Sequence, residues 1–220
     1  MRAFRILAVS IVALVLAGCT DSSTHASAVA VLVDVSGTYV DEKADVVALM
    51  KRAILPELEP GDSLVVVRID DRSFEKENIE AMLHLDVRPS KANAQKRDVA
   101  GVLDAFAARD GRASHTDIRG AMMLAADHLR ETGAGTRTLV IFSDLEEDLP
   151  KGTVRNLADS ELAGIQVVAM NVKRLSADNA NPAVYRERIA SWEKRVLASG
   201  AAGWRVVLDP ERLVETLEVR

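Results

Sequence analysis

Oxygen-bearing side chains gather in three short segments of this 220-residue chain. The first is Asp34-Val35-Ser36-Gly37-Thr38 and the second is Ser114-His115-Thr116, followed by Asp117. The third is Ser143-Asp144-Leu145-Glu146-Glu147-Asp148. Carboxylates and hydroxyls are hard ligands, so together they suit a hard cation: magnesium first, with manganese or calcium as substitutes. Zinc fits poorly, because the histidines show no ligand spacing and there is a single cysteine. The same residue types have plainer uses. Asp and Ser after a strand make turns, Thr116 or a Ser114–Asp117 pair can cap a helix, and acids 146–148 can be a solvated turn. Chemistry requires that all three segments reach one place.

The surrounding pattern supplies such a place. Residues 28–33, 64–67, 138–142 and 165–170 are short, nearly continuous apolar runs, as expected of strands covered on both faces of a parallel sheet. Residues 204–208 read as a last strand, and the end of 79–87 as a short antiparallel edge strand. Between them run helical stripes: Val47, Met50, Ile54; Val99, Val102, Phe106; Ile118, Met122, Ala125, Leu129; and Tyr185, Ile189, Trp192, Val196. Strands alternating with helices predict an α/β fold, a doubly wound, mostly parallel open sheet of about six strands with helices on both faces. Ligands of such sheets bind beyond the carboxyl ends of the strands, where strand order reverses. The three oxygen-rich segments follow strands or precede a helix at that end.

Asp-x-Ser-x-Thr after the first strand, a Thr opening a mid-chain helix and an Asp after a central strand together resemble the metal-ion-dependent adhesion site of von Willebrand factor A domains. The likeness runs from about Ala28 to Leu217. It implies that Ser36 and Thr38 ligate the metal through hydroxyls and that Thr116 binds directly or through water. Asp34 and Asp144 then act through waters or through hydrogen bonds to the ligating hydroxyls. It also implies one open position that takes a Glu or Asp carboxylate from a protein partner. Tyr39, His115 and Glu146 are expected on the ligand rim, and the polar stretch 176–182 is a candidate specificity loop. Three departures stand out: Thr38 where Ser is commoner, Tyr39 where Met is common, and Leu145 where many relatives have Gly.

Two other functions remain open at this stage. Asp34 and Thr38 also fit the Asp-x-Asp-x-Thr motif of haloacid dehalogenase-type phosphatases, but Ser36 replaces the acid that protonates the leaving group. A metal-free scaffold that retains the fold is the third reading.

The first residues are an address. Arg2 and Arg5 precede an apolar run of about 11 residues and then Leu16-Ala17-Gly18-Cys19. That run is shorter than the ~20 residues of a spanning helix. The order resembles a bacterial lipoprotein box, which implies cleavage before Cys19 and lipidation of its thiol. The expected division is a signal peptide at 1–18, lipidated Cys19 with a short tether to 27, and one domain from 28 to 220. Thr20 after the cysteine resembles outer-membrane sorting, with the domain facing the periplasm. Loss of Arg2 and Arg5 moves the formal charge from −5 to −7. With no basic stripe, a nucleic-acid partner is excluded.

Overall fold

A computed structural model describes residues 25–37, 39–170, 172–175, 178–179, 181–209 and 212–217. Cys19, most of the tether and Thr38 lie outside the described residues. Six strands form one sheet: β1 (Ser27–Asp34), β2 (Ser63–Ile69), β3 (Ile79–His84), β4 (Thr136–Phe142), β5 (Gln166–Met170) and β6 (Gly203–Val207). Their order is β3-β2-β1-β4-β5-β6. All pairings are parallel except β2–β3, where an antiparallel edge strand appears with a register shift between Val66 and Val67, at the start of 79–87 and not at the end as expected.

Strand β1 is central, and all eight of its residues are buried. Side chains alternate between faces along a strand. Val29, Val31 and Val33 therefore enter one core, with α1 (Lys43–Leu49) and α2 (Pro89–Ala108). Ala28, Ala30 and Leu32 enter the other, with α3 (Ile118–Glu131) and α4 (Pro182–Ala198). Ala121, Ala125 and Ala126 of α3 share this core with Ala28 and Ala30. The expected α3 stripe is buried throughout. So are Val47, Met50 and Ile54, although a π-helical turn (Met50–Ile54) continues α1, with Leu55 N–H donating to the Met50 carbonyl. A short α5 (Leu213–Thr216), not foreseen in the sequence, places Leu213 in the first core.

One stripe is corrected. Val102 is 47% exposed, and α2 buries Ala92, Val99, Leu103 and Phe106 instead. A step of four from Val99 keeps Leu103 nearer the buried line than a step of three keeps Val102.

Because β1 pairs with both β2 and β4, the chain leaves β1 to one side and later returns to the other. The reversal opens a crevice beyond Asp34 and Phe142, and α3 starts beside it. The start of α3 is fixed by Asp117, a buried residue whose carboxylate accepts Gly120 N–H at 2.8 Å and the Arg155 guanidinium at 2.9 Å. A Cβ at Gly120 would lie 2.3 Å from Asp117 Oδ2. Gly to Ala within a helix ordinarily stabilises by about 1 kcal/mol. Here the cap must open, and Gly120→Ala is expected to lower stability by about 1–2 kcal/mol in urea denaturation. An unchanged or raised midpoint would refute this account of the helix start.

Candidate functional site

Asp34 ends β1 with no exposed surface. Its Oδ1 accepts the Ser36 N–H at 2.8 Å and the Ser36 hydroxyl at 2.5 Å. Its Oδ2 accepts the Ser143 hydroxyl at 2.7 Å. The Thr116 hydroxyl donates to Ser36 Oγ at 2.6 Å. Protons therefore run inward, from Thr116 to Ser36 to Asp34. A hydroxyl whose proton is spent inward keeps oxygen lone pairs for another partner.

The backbone stitches the three loops together. Ala113 N–H donates to the Val35 carbonyl at 3.1 Å, and Ser36 bridges Ala113. Thr116 and Asp148 exchange both backbone bonds, at 2.7 and 3.2 Å. Asp144, 6% exposed, accepts Glu146 N–H at 2.9 Å in a tight turn. Ser36, Thr116 and Asp144 line an open cleft of about 640 Å³ together with Gly37, Glu146 and Asp148. Four of the five expected site residues (Asp34, Ser36, Thr116, Asp144) thus meet, and Thr38 lies outside the described residues.

The electrostatics of the cleft are one-sided. Burial pushes the Asp34 carboxyl up to about 6, its hydroxyl and amide donors pull it down, and the nearby Asp144 charge raises it further. No cation pairs with Asp34 among the described residues. Among those residues, too, no three His, Cys, Asp or Glu side chains come together as a metal-holding group. The convergence is of two hydroxyls with two carboxylates. Such a set fits a hard divalent cation, whose charge would offset a buried carboxylate that nothing else compensates.

Several rim expectations change. Tyr39 is 1% exposed and belongs to the core, so its assignment to the rim is corrected: the turn after Ser36, closed by Tyr39 N–H to the Ser36 carbonyl, directs the ring inward. His115 is not among the residues lining the cleft; its Nδ1 lies 2.9 Å from Asp148 Oδ2 and its backbone N–H donates to Asp71. Glu146 is exposed and 3.1 Å from Arg188, while Glu147 is mostly covered and 2.6 Å from Arg119. Glu146 and Glu147 thus each face an arginine, while Glu146 and Asp148 remain solvated as expected of an acidic turn. Leu175 borders the cleft, and Asp178 in the 176–182 stretch is buried against Arg188. Thr116 is not the helix cap, since Asp117 takes that role and leaves the Thr116 hydroxyl for Ser36.

Ser143 belongs to the third oxygen-rich segment but not to the five expected site residues, yet it bonds Asp34 and accepts Leu145 N–H at 3.0 Å. Its place directly before Asp144 was the only signal. Leu145 has φ +62°, the left-handed region that favours Gly. That conformation costs a Leu roughly 1–2 kcal/mol. Its side chain is 1% exposed, which returns about 2 kcal/mol or more, and its carbonyl accepts Trp192 Nε1–H at 2.9 Å. Burial outweighs the strain, and this explains the departure from Gly.

No protein-family profile matches the chain, and no curated protein matches it. Solved structures do. BatB from Bacteroides thetaiotaomicron, described as a conserved hypothetical protein, superposes with TM-score 0.51 at 13% identity, covering 86% of this chain and 96% of that one. A D319A mutant of the PilB minor pilin from Streptococcus sanguinis gives 0.52 at 10% identity, covering 90% of this chain and 61% of that one. A von Willebrand factor type A protein from Catenulispora acidiphila gives 0.46 at 12% identity over 88% of this chain and 41% of that one, too loose to carry weight. The first two show the fold: doubly wound, of the von Willebrand factor A and Rossmann-like kind.

The Asp34 carboxyl yields a prediction for chelator-treated protein. A folded-state value raised from 3.8 to about 6 means the contribution is whole below pH 3.8 and lost as pH rises through 6. The loss is on the order of 3 kcal/mol. Asp34→Asn should remove that descent and make the chelated protein more stable than wild type at pH 7. Parallel stability curves for the two proteins between pH 4 and 7, by chemical denaturation, would refute it.

Proposed function

We propose that this domain holds a divalent cation, magnesium by preference, and through it binds a carboxylate of a protein partner. The observation that supports this reading is the inward hydroxyl relay. Thr116 donates its proton to Ser36 and Ser36 donates to Asp34, and both residues line an open cleft. Thr38 is the further hydroxyl donor, and Asp144 supplies charge from the far wall. When bound, the metal would contribute an unfilled coordination position for an external acid. Asp34 does not ligate directly in this reading. It orients Ser36 and Ser143 and lends them negative character.

The phosphatase alternative is disfavoured by the same geometry. A nucleophilic carboxylate must reach its substrate, whereas Asp34 has no exposed surface and both of its oxygens accept hydrogen bonds. The scaffold alternative is separated by experiment. Magnesium at 100 times its dissociation constant should stabilise the protein by about 2.7 kcal/mol, and Ser36→Ala should abolish most of that shift. Partner capture from solubilised envelope should require magnesium and fail in chelator. A melting temperature indifferent to magnesium would favour the scaffold. Equal capture in chelator would sink the carboxylate reading.

The location is part of the proposal: a bacterial envelope lipoprotein, held by lipid on Cys19 and facing the periplasm from the outer membrane. Its support is the basic, apolar, Leu-Ala-Gly-Cys order of residues 2–19. Several acyl chains would make such anchoring effectively permanent. Cys19→Ala should leave a soluble or unprocessed chain after cell fractionation. An undiminished acylated, membrane-bound form would end the idea.

A further inference from the structure

Behind one wall of the metal cleft lies a smaller cavity of about 190 Å³, lined by Val35, Lys43, Phe106, Asp110 and Arg112 among others. The two cavities share Arg112 and Ala113. Val35 faces the smaller one, and its neighbour Ser36 faces the cleft. Lys43 opens α1 and is only 7% exposed. Its ammonium sits 5.3 Å from the centroid of the Phe106 ring and donates to the Arg109 carbonyl. An ammonium has three donors, and no carboxylate pairs with this one among the described residues. The acids in and behind the wall are already engaged: Asp70 and Glu80 hold Arg68, and Glu80 also holds Arg109. Asp110 is exposed and acts on Lys43 only at a distance. Burial accordingly pushes the Lys43 pKa down. Arg112 stands at the mouth with its side chain 59% exposed, 4.0 Å from an even more exposed Asp41.

A buried, under-coordinated ammonium beneath an accessible guanidinium is an arrangement for a small anion. We propose that this cavity receives a second carboxylate of the same partner whose first acid binds at the metal. The partner segment is therefore of the form acid-x-acid. Side chains two apart on an extended chain lie on one face about 7 Å from each other, so a segment of this form presents both acids to the same side. The first contact rests on the metal reading above. The cavity itself does not.

Two arms separate them, both with the full-length chain in detergent micelles. In chelator, sulfate is titrated while the backbone amide resonances of Lys43, Gly111 and Arg112 are followed by NMR. Saturable shifts are expected, lost in Lys43→Met and weakened in Arg112→Gln, whose exposed side chain can change without unfolding the domain. In magnesium, acetylated and amidated Asp-Gly-Asp should bind at least about tenfold more tightly than Asp-Gly-Asn. Lys43→Met should narrow that ratio, leaving Asp-Gly-Asn unaffected, and Arg112→Gln, which alters both cavities, should narrow it too. A cavity silent to sulfate, or equal affinity for the two peptides, overturns the second contact and leaves the metal reading intact. Sulfate binding at Lys43 with neither peptide bound in magnesium overturns the metal reading and, with it, the two-point contact.

Discussion

A carboxylate with no exposed surface stands at the carboxyl end of the central strand, and the arrangement of the loops around it follows from its needs. Burying an ionised group costs several kcal/mol unless hydrogen bonds compensate it. Asp34 obtains them from both neighbouring segments: Ser36 from its own loop and Ser143 from the loop after β4. Thr116, from the loop before α3, joins through Ser36. Hydroxyls satisfy the carboxylate but do not neutralise it. The result is a polar cluster settled around a buried carboxylate that has no cation paired with it among the described residues.

The charges farther out are arranged differently. Glu146 is set against Arg188, Glu147 against Arg119 and Asp148 against His115. Glu146 and Glu147 are each paired with an arginine, while exposed Asp148 has the His115 ring beside it. Arg188 is shared with buried Asp178, and Arg119 lies on α3. These pairs tie the loop after β4 to α3 and α4.

Much of this was legible in the residues because the signals are local. Buried parallel strands show as unbroken apolar runs, and β1, β2, β4 and β5 lie where those runs lie. An acid and a serine directly after a strand, at a sheet's switch point, mark a crevice whatever the rest of the chain does. Other features depend on distant partners and leave no local trace. Tyr39 turns inward because of the fold of one tight turn, Arg155 finds Asp117 across 38 positions, and Leu145 tolerates a left-handed backbone because Trp192 and the core hold it. Val102 was misplaced for a smaller reason: two helical spacings compete over a short stripe, and the one with Leu103 buries more apolar surface.

Strand β1 links the two ends of the proposal. Its first residue, Ser27, follows the tether, and its last, Asp34, begins the cleft. Eight residues at about 3.3 Å each put roughly 26 Å between them. With Cys19 in a bilayer, the amino end of the sheet faces the membrane and the cleft opens away from it. A tether of so few residues limits how far the domain can tumble, since even fully extended it reaches under roughly 30 Å. The lengths of one strand and one tether, rather than any contact with lipid, would set the height at which an acidic ligand is met.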